Sequence, residues 1–304
     1  MAAIQLKFSL VDVFTRERFS GNQVAVIHDA RALDSAQMQN VAREFGFSET
    51  TFILPPGNDH YHARVRIFTP HEEVPFAGHP NIGTVFVMGG QKTAASGALP
   101  DLAIFDEKGD DVRVQPIREE GQVVGAEIEA PQSLRTMGAV PAERMARCLG
   151  LDEDCLVLDR IAPCVASVGL PFAFVELRDL DALASLAPDA PSFREAAEHG
   201  PRTVDGFAIC AFVVVSEGGG RFEVRSRVVC PLGHPPEDAA TGSASGALAA
   251  LLADASGQGE ADVAITQGVE MGRRSEIDVS VPANGGPARI RGYCTHVATG
   301  AMTI

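Results

Sequence analysis

The sequence predicts an α+β protein of two pseudo-symmetric lobes, each a mainly antiparallel sheet curled around one central apolar helix. Three observations predict it. The chain has 304 residues, more than one compact core usually covers. Two helix candidates, residues 81–88 and 244–253, are apolar on nearly every side and have to be enclosed. Strand-like stretches also recur in the same order in both halves. Gly21-Asn-Gln-Val-Ala-Val-Ile27 is echoed 148 residues on by Gly169-Leu-Pro-Phe-Ala-Phe-Val175, and Arg66-Ile-Phe-Thr-Pro70 is echoed 161 residues on by Arg227-Val-Val-Cys-Pro231. Ordered echoes of this kind argue for an internal duplication.

The elements follow from local pattern. Residues 7–13 alternate as a strand, Gly21-Asn22 punctuates, and residues 23–27 form a β-branched run. Asp34 is an N-cap for a helix whose Met38, Val41, Ala42 and Phe45 share one face, with Gly46 closing it. Residues 50–54 and 62–68 read as strands ended by prolines. The first apolar helix opens just after Gly78-His79-Pro80, and the second copy follows Glu237-Asp238 and Thr241-Gly242-Ser243. The strand pattern lapses over residues 132–140, so the lobes are expected at 1–135 and 136–304, the last strand being able to return to the first lobe.

Composition narrows the function. Apolar residues make up 45% and charged residues 21%, enough for a core and unlike a disordered chain. A net charge of −15 repels nucleic-acid phosphates and anionic headgroups, so neither nucleic acid nor membrane is expected as a partner. The start carries no basic segment followed by a long apolar run, which reads as cytoplasmic. Six scattered cysteines without close pairs read as buried reduced thiols. The run Gly89-Gly-Gln-Lys-Thr93 misses the phosphate-loop spacing, no dinucleotide fingerprint follows a strand, and His60, His62 and His71 lie on a loop and strand start. No nucleotide, nicotinamide or metal cofactor is expected.

The chemistry concentrates at two turns. Ala77-Gly78-His79-Pro80 and Thr241-Gly242-Ser243-Ala244 each open a buried helix, whose first N–H groups lack intrahelical partners and attract anions. Facing each other across a cleft, they could hold one carboxylate. Glu49 lies at the mouth of a β-branched and aromatic strand, where partial burial would raise its pKa toward that of a proton shuttle. Asp238 either caps the second helix or accepts a hydrogen bond from a substrate amine or hydroxyl. His79 offers a titratable group beside the first turn. Ser243 has no triad partners in recognisable order.

These residues resemble a family. Phe19-Ser-Gly-Asn-Gln-Val-Ala-Val26, Ser48-Glu-Thr-Thr-Phe52, Arg66 through Pro80, Glu237-Asp-Ala-Ala-Thr-Gly-Ser-Ala244 and Gln267-Gly-Val-Glu-Met-Gly-Arg273 are similar, in order and across nearly the whole chain, to PhzF-like proteins of phenazine biosynthesis. The resemblance implies the diaminopimelate-epimerase fold, a β-barrel around a helix in each lobe, and a homodimer. It implies a cofactor-independent isomerase of a small carboxylate-bearing substrate, like the isomerase of trans-2,3-dihydro-3-hydroxyanthranilate. Glu49 would be the acid and base, Gly78, His79, Gly242 and Ser243 the carboxylate cradle, and Asp238 the residue that orients the substrate. Related racemases use paired thiols where this chain has Ala77 and Thr241, so a two-cysteine mechanism is excluded. The chain departs from the common pattern at Gln23, Cys230 and residues 232–236. Two other readings stand beside the isomerase: an epimerase pairing Glu49 with His79 or Asp238, and a non-catalytic binder of a carboxylate metabolite.

Overall fold

The computed structural model describes residues 5–91, 93–95, 99–108, 110–233 and 235–304. Lys92 of the glycine-rich run and His234 of the 232–236 segment lie outside the described residues. In chain order the elements are β1 (Gln5–Val13), β2 (Asn22–Ile27), α1 (Ser35–Phe45), β3 (Glu49–Leu54), β4 (Ala63–Phe68), β5 (Glu73–Val74), α2 (Gly78–Gly90), β6 (Ala103–Glu107), β7 (Asp110–Glu119) and β8 (Gln122–Glu129). There follow β9 (Arg135–Ala139), α3 (Ala142–Leu149), β10 (Leu156–Val157), β11 (Cys164–Ser167), β12 (Pro171–Leu177), α4 (Leu180–Ala184), α5 (Ala190–His199), β13 (Ile209–Gly218) and β14 (Arg221–Val229). The chain ends with β15 (Glu237–Asp238), α6 (Gly242–Ala255), β16 (Ala261–Gln267), β17 (Ser275–Val281) and β18 (Arg289–Thr303). It divides into two compact units, Met1–Glu129 with Arg291–Ile304, and Ala130–Ile290.

In the first unit β1, β2, β3, β4, β6, β7, β8 and β18 pair in that order, and β18 returns to β1, which closes the barrel. The junctions β2–β3 and β4–β6 are parallel. α2 fills the interior, and Thr84 Oγ1 donates to Thr51 Oγ1 at 3.0 Å. Side chains alternate along a strand, so Thr51 and Glu49 face α2 while Phe52 faces out. Phe52 joins the outer cluster with Ile27 and with Met38, Val41 and Ala42 of α1. The helix lies close to the wall: a Cβ on Gly83 would come within 2.6 Å of Val24 Cγ1. α1 has the expected ends, Asp34 accepting from the Gln37 amide and Gly46 in the left-handed region at φ 65°.

The second unit repeats the plan. The order is β9, β11, β12, β13, β14, β16, β17, with β10 also on β12 and β15 on β14, and β12–β13 and β14–β16 are its parallel junctions. Residues Gly242 through Ala253 of α6 are all buried, while α3, α4 and α5 pack over β12 and β13. No helix among the described residues is long and apolar enough to cross a membrane. Five cysteines are buried and reduced as expected, whereas Cys155 is partly exposed.

Strand registers reproduce the duplication residue by residue. Ala25 pairs with Thr50, Thr50 with Phe68 and Phe68 with Glu73; in the second unit Ala173 pairs with Ile209, Ile209 with Val229 and Val229 with Glu237. Both spacings read from the sequence therefore hold in the hydrogen-bond ladders. Each unit also ties its short arm, β5 or β15, to the barrel with a two-pronged ion pair. Arg66 donates to both Glu73 oxygens at 2.8 Å, and Arg227 to both Glu237 oxygens at 2.8 Å. Arg227 also donates to Leu183 O at 3.0 Å and its side chain is 9% exposed, against 16% for Arg66. Removing one partner of a buried pair strands the other charge. Arg227→Met should therefore lower the unfolding free energy by about 3 kcal/mol, and Arg66→Met by clearly less, in urea melts. Equal losses would contradict this ranking.

Candidate active site

In the first unit the site is built where β3 begins and α2 begins. α2 starts at Gly78, three residues before the sequence reading placed it, with Ala77 as an N-cap that offers no side-chain hydrogen bond. The N–H groups of Gly78 and His79 thus have no intrahelical acceptor, and Pro80 has no N–H to satisfy. The dipole adds the equivalent of about half a positive charge there. Asn81 Nδ2 donates to Ala77 O at 3.1 Å and braces the turn.

Glu49 stands at the first position of β3 with its side chain 18% exposed, and its Oε2 lies 3.5 Å from His79 Nε2. That nitrogen is 3.4 Å from Gln23 O. A carbonyl only accepts, so Nε2 carries the proton. Burial pushes the His79 pKa down to about 4, and the Gln23 hydrogen bond opposes this only in part. The ring is neutral near pH 7, so its 3.5 Å approach to Glu49 Oε2 is a contact with an uncharged ring rather than an ion pair.

In the second unit α6 starts at Gly242, two residues earlier than read from the sequence, and again the N-cap makes no side-chain bond to the helix. One expectation is corrected here. Asp238 does not cap α6, because its place in β15 opposite Val228 sets it three residues before the N-cap, which is Thr241. Instead Asp238 Oδ2 accepts from Thr241 Oγ1 at 2.7 Å. Ser243, on the first turn, is 9% exposed.

Gln267 was missed as a site residue, although the sequence motif contains it. It ends β16 at 1% exposure. Its Oε1 accepts from Thr241 N at 3.2 Å, and its Nε2 donates to Asp238 O at 2.8 Å and Thr241 Oγ1 at 3.1 Å. Gly268 follows at φ +72°, and a Cβ there would sit 2.6 Å from Ala239 O. One side chain thus fastens both the Asp238 arm and the helix start. The structure brings Glu49 together with Gly78 and His79, and Asp238 together with Gly242 and Ser243, each group within its own unit.

Gln267→Leu keeps the volume but takes the Gln267 partner from two buried backbone groups, Thr241 N and Asp238 O. It should reduce stability by about 3 kcal/mol, read as a lower urea midpoint with an unchanged slope. A parent-like midpoint would show that the three bonds do not hold the turn.

Similarities to known proteins bear on this geometry. Residues 11–300 match the family model described as phenazine biosynthesis-like protein. The chain is 35% identical over 275 residues to a trans-2,3-dihydro-3-hydroxyanthranilate isomerase of Pseudomonas aeruginosa, covering 89% of this chain and 88% of that one. It is 33% identical over 311 residues to an uncharacterized isomerase of Mesorhizobium japonicum, covering 98% of each. The crystal structure of a PhzF-family phenazine biosynthesis protein from Bacillus anthracis superposes with a TM-score of 0.83 over 99% of this chain and all of that one, at 20% identity, a likeness of fold. With a family match over nearly its whole length and the barrel-and-helix plan in each half, the chain belongs to the PhzF-like family of the diaminopimelate-epimerase fold.

Proposed function

We propose that this protein is a cofactor-independent isomerase that moves a proton on a small carboxylate-bearing molecule of the cyclic amino- or hydroxy-acid class. The observation that carries the reading is Glu49, partly buried, against a neutral His79 at the start of a buried helix. The isomerase names of relatives about 35% identical support it.

Glu49, as carboxylate, takes a proton from a substrate carbon; the electron pair left behind delocalises into the substrate, and the same carboxyl returns the proton to a second carbon. Atoms and charge balance with no external reductant or oxidant. A cation beside Glu49 would stabilise the carboxylate and weaken it as a base. A neutral His79 avoids that. Each helix start, Gly78 and His79 in the first unit and Gly242 and Ser243 in the second, is proposed as a pair of N–H donors for a carboxylate. Asp238, anchored by Thr241, is proposed to accept from the substrate's amine or hydroxyl.

Two outcomes are expected. Glu49→Gln keeps the shape but cannot exchange a proton, so turnover of trans-2,3-dihydro-3-hydroxyanthranilate should fall by about 10² to 10⁴ with folding unchanged; full turnover would sink the assignment. His79 should titrate with a pKa of about 4, well below 6.5, when followed by ring nitrogen NMR. Because its folded pKa is depressed, the unfolded chain binds more protons between those values. The stability it contributes is present above pH 6.5 and is lost as pH falls toward about 4. A midpoint near 6.5 would mean a solvated ring and a different site.

A further inference from the structure

The duplicated register assigns a partner to Gln267 in the first unit. Arg64 pairs with Asp106 across the parallel β4–β6 junction, and Arg225 pairs with Thr266 across β14–β16. The next residue on each strand is its last: Glu107 on β6 and Gln267 on β16. Both are enclosed, Glu107 at 2% exposure and Gln267 at 1%. An acid therefore stands where the second unit has an amide that fastens its helix start.

The polar groups around Glu107 show the form this acid takes. Among the described residues neither of its oxygens has a hydrogen-bond partner, and neither does Oδ1 of Asn81, the side chain on α2 that faces it. Asn81 Nδ2 is already directed at Ala77 O. The unmatched atoms are all acceptors, and a proton on Glu107 turns one of them into a donor. We propose that Glu107 is a positioning residue held as the neutral acid, its O–H donated to Asn81 Oδ1, so that Asn81 keeps Ala77 and the Gly78–His79 turn in place as Gln267 does for Thr241. A protonated carboxyl has the shape of a carboxamide, so one scaffold position is served by two chemical equivalents.

The surrounding charges agree. Burial pushes the Glu107 pKa well up; the Asn81 side chain, as a hydrogen-bond partner for the carboxylate form, pulls the other way, and Asp106 on the same strand adds to the rise. Asp110 is its cross-strand partner in register. Arg64 on β4 is directed to Asp106, and Arg66 and Lys108 to Glu73 on β5. α2 contributes the neutral His79 and no other titratable group. The inference rests on the proposed function in one respect: a neutral acid leaves the α2 turn free to take a substrate carboxylate, which an ionised Glu107 would repel.

The test compares the parent with Glu107→Gln, Glu107→Leu and Asn81→Ala, all without ligand. Infrared spectra of the parent should show a protonated carboxyl at neutral pH that Glu107→Gln removes. Amide exchange at Ile82 and Gly83, whose helical acceptors are the Gly78 and His79 carbonyls, should be about tenfold faster in Glu107→Leu, should return to the parent rate in Glu107→Gln, and should also be faster in Asn81→Ala. Raising the pH should accelerate exchange in the parent relative to Glu107→Gln. An ionised Glu107 at neutral pH, or parent-like exchange in both Glu107→Leu and Asn81→Ala, would overturn the proposal. Titration with 2-amino-3-hydroxybenzoate then separates the two ideas, since failure of this carboxylate to bind the parent counts against the proposed function and leaves the exchange result standing.

Discussion

A helix enclosed by a barrel wall must still bring its first unpaired N–H groups to something polar. In this chain α2 and α6 are buried from their first residues, and both open on glycine with a cap that makes no side-chain bond. Ordinary capping by Ser, Thr, Asp or Asn would have consumed those donors. Leaving them uncapped costs about 1 kcal/mol per helix and keeps a positive, donor-rich turn available for an anion. The arms that precede the turns, their two-pronged Arg–Glu ties and the bracing by Asn81 and Gln267 all serve to hold these two helix starts still.

The scaffold is duplicated but the chemistry is not. Register places Ala208 where the first unit has Glu49, and Val74 where the second has Asp238. His79 and Ser243 occupy the second helical position of their turns, and Ala77 and Thr241 the caps. One unit therefore carries the carboxylate proposed to move a proton, and the other carries the acceptor and hydroxyl proposed to meet a polar substituent. Neither cap is a thiol, which separates this site from a mechanism with two matching acids.

Much of this was legible in the sequence because the duplication leaves a mark on spacing. The offsets of 148 and 161 residues carry over directly into the ladders. Both helix starts are read too late in the sequence; Pro80, which closes the turn ahead of the segment read as helix, sits at the third helical position of α2, where a missing N–H is harmless. Capping stood as one of two roles open to Asp238 because β15, only two residues long, gives no periodic signal. The contact of Glu49 with His79 and the role of Gln267 arise from strands and helices that meet only after folding. Glu107 did leave a signal: alternation puts it on the same buried face as Ala103 and Phe105, an acid where an apolar residue is expected.

The most direct measurement is a backbone amide NMR titration of the protein with 2-amino-3-hydroxybenzoate. Saturable shifts at the amides of Gly78 and His79, beside Glu49, are the result this account requires. Saturable binding that leaves both amides unmoved would contradict it.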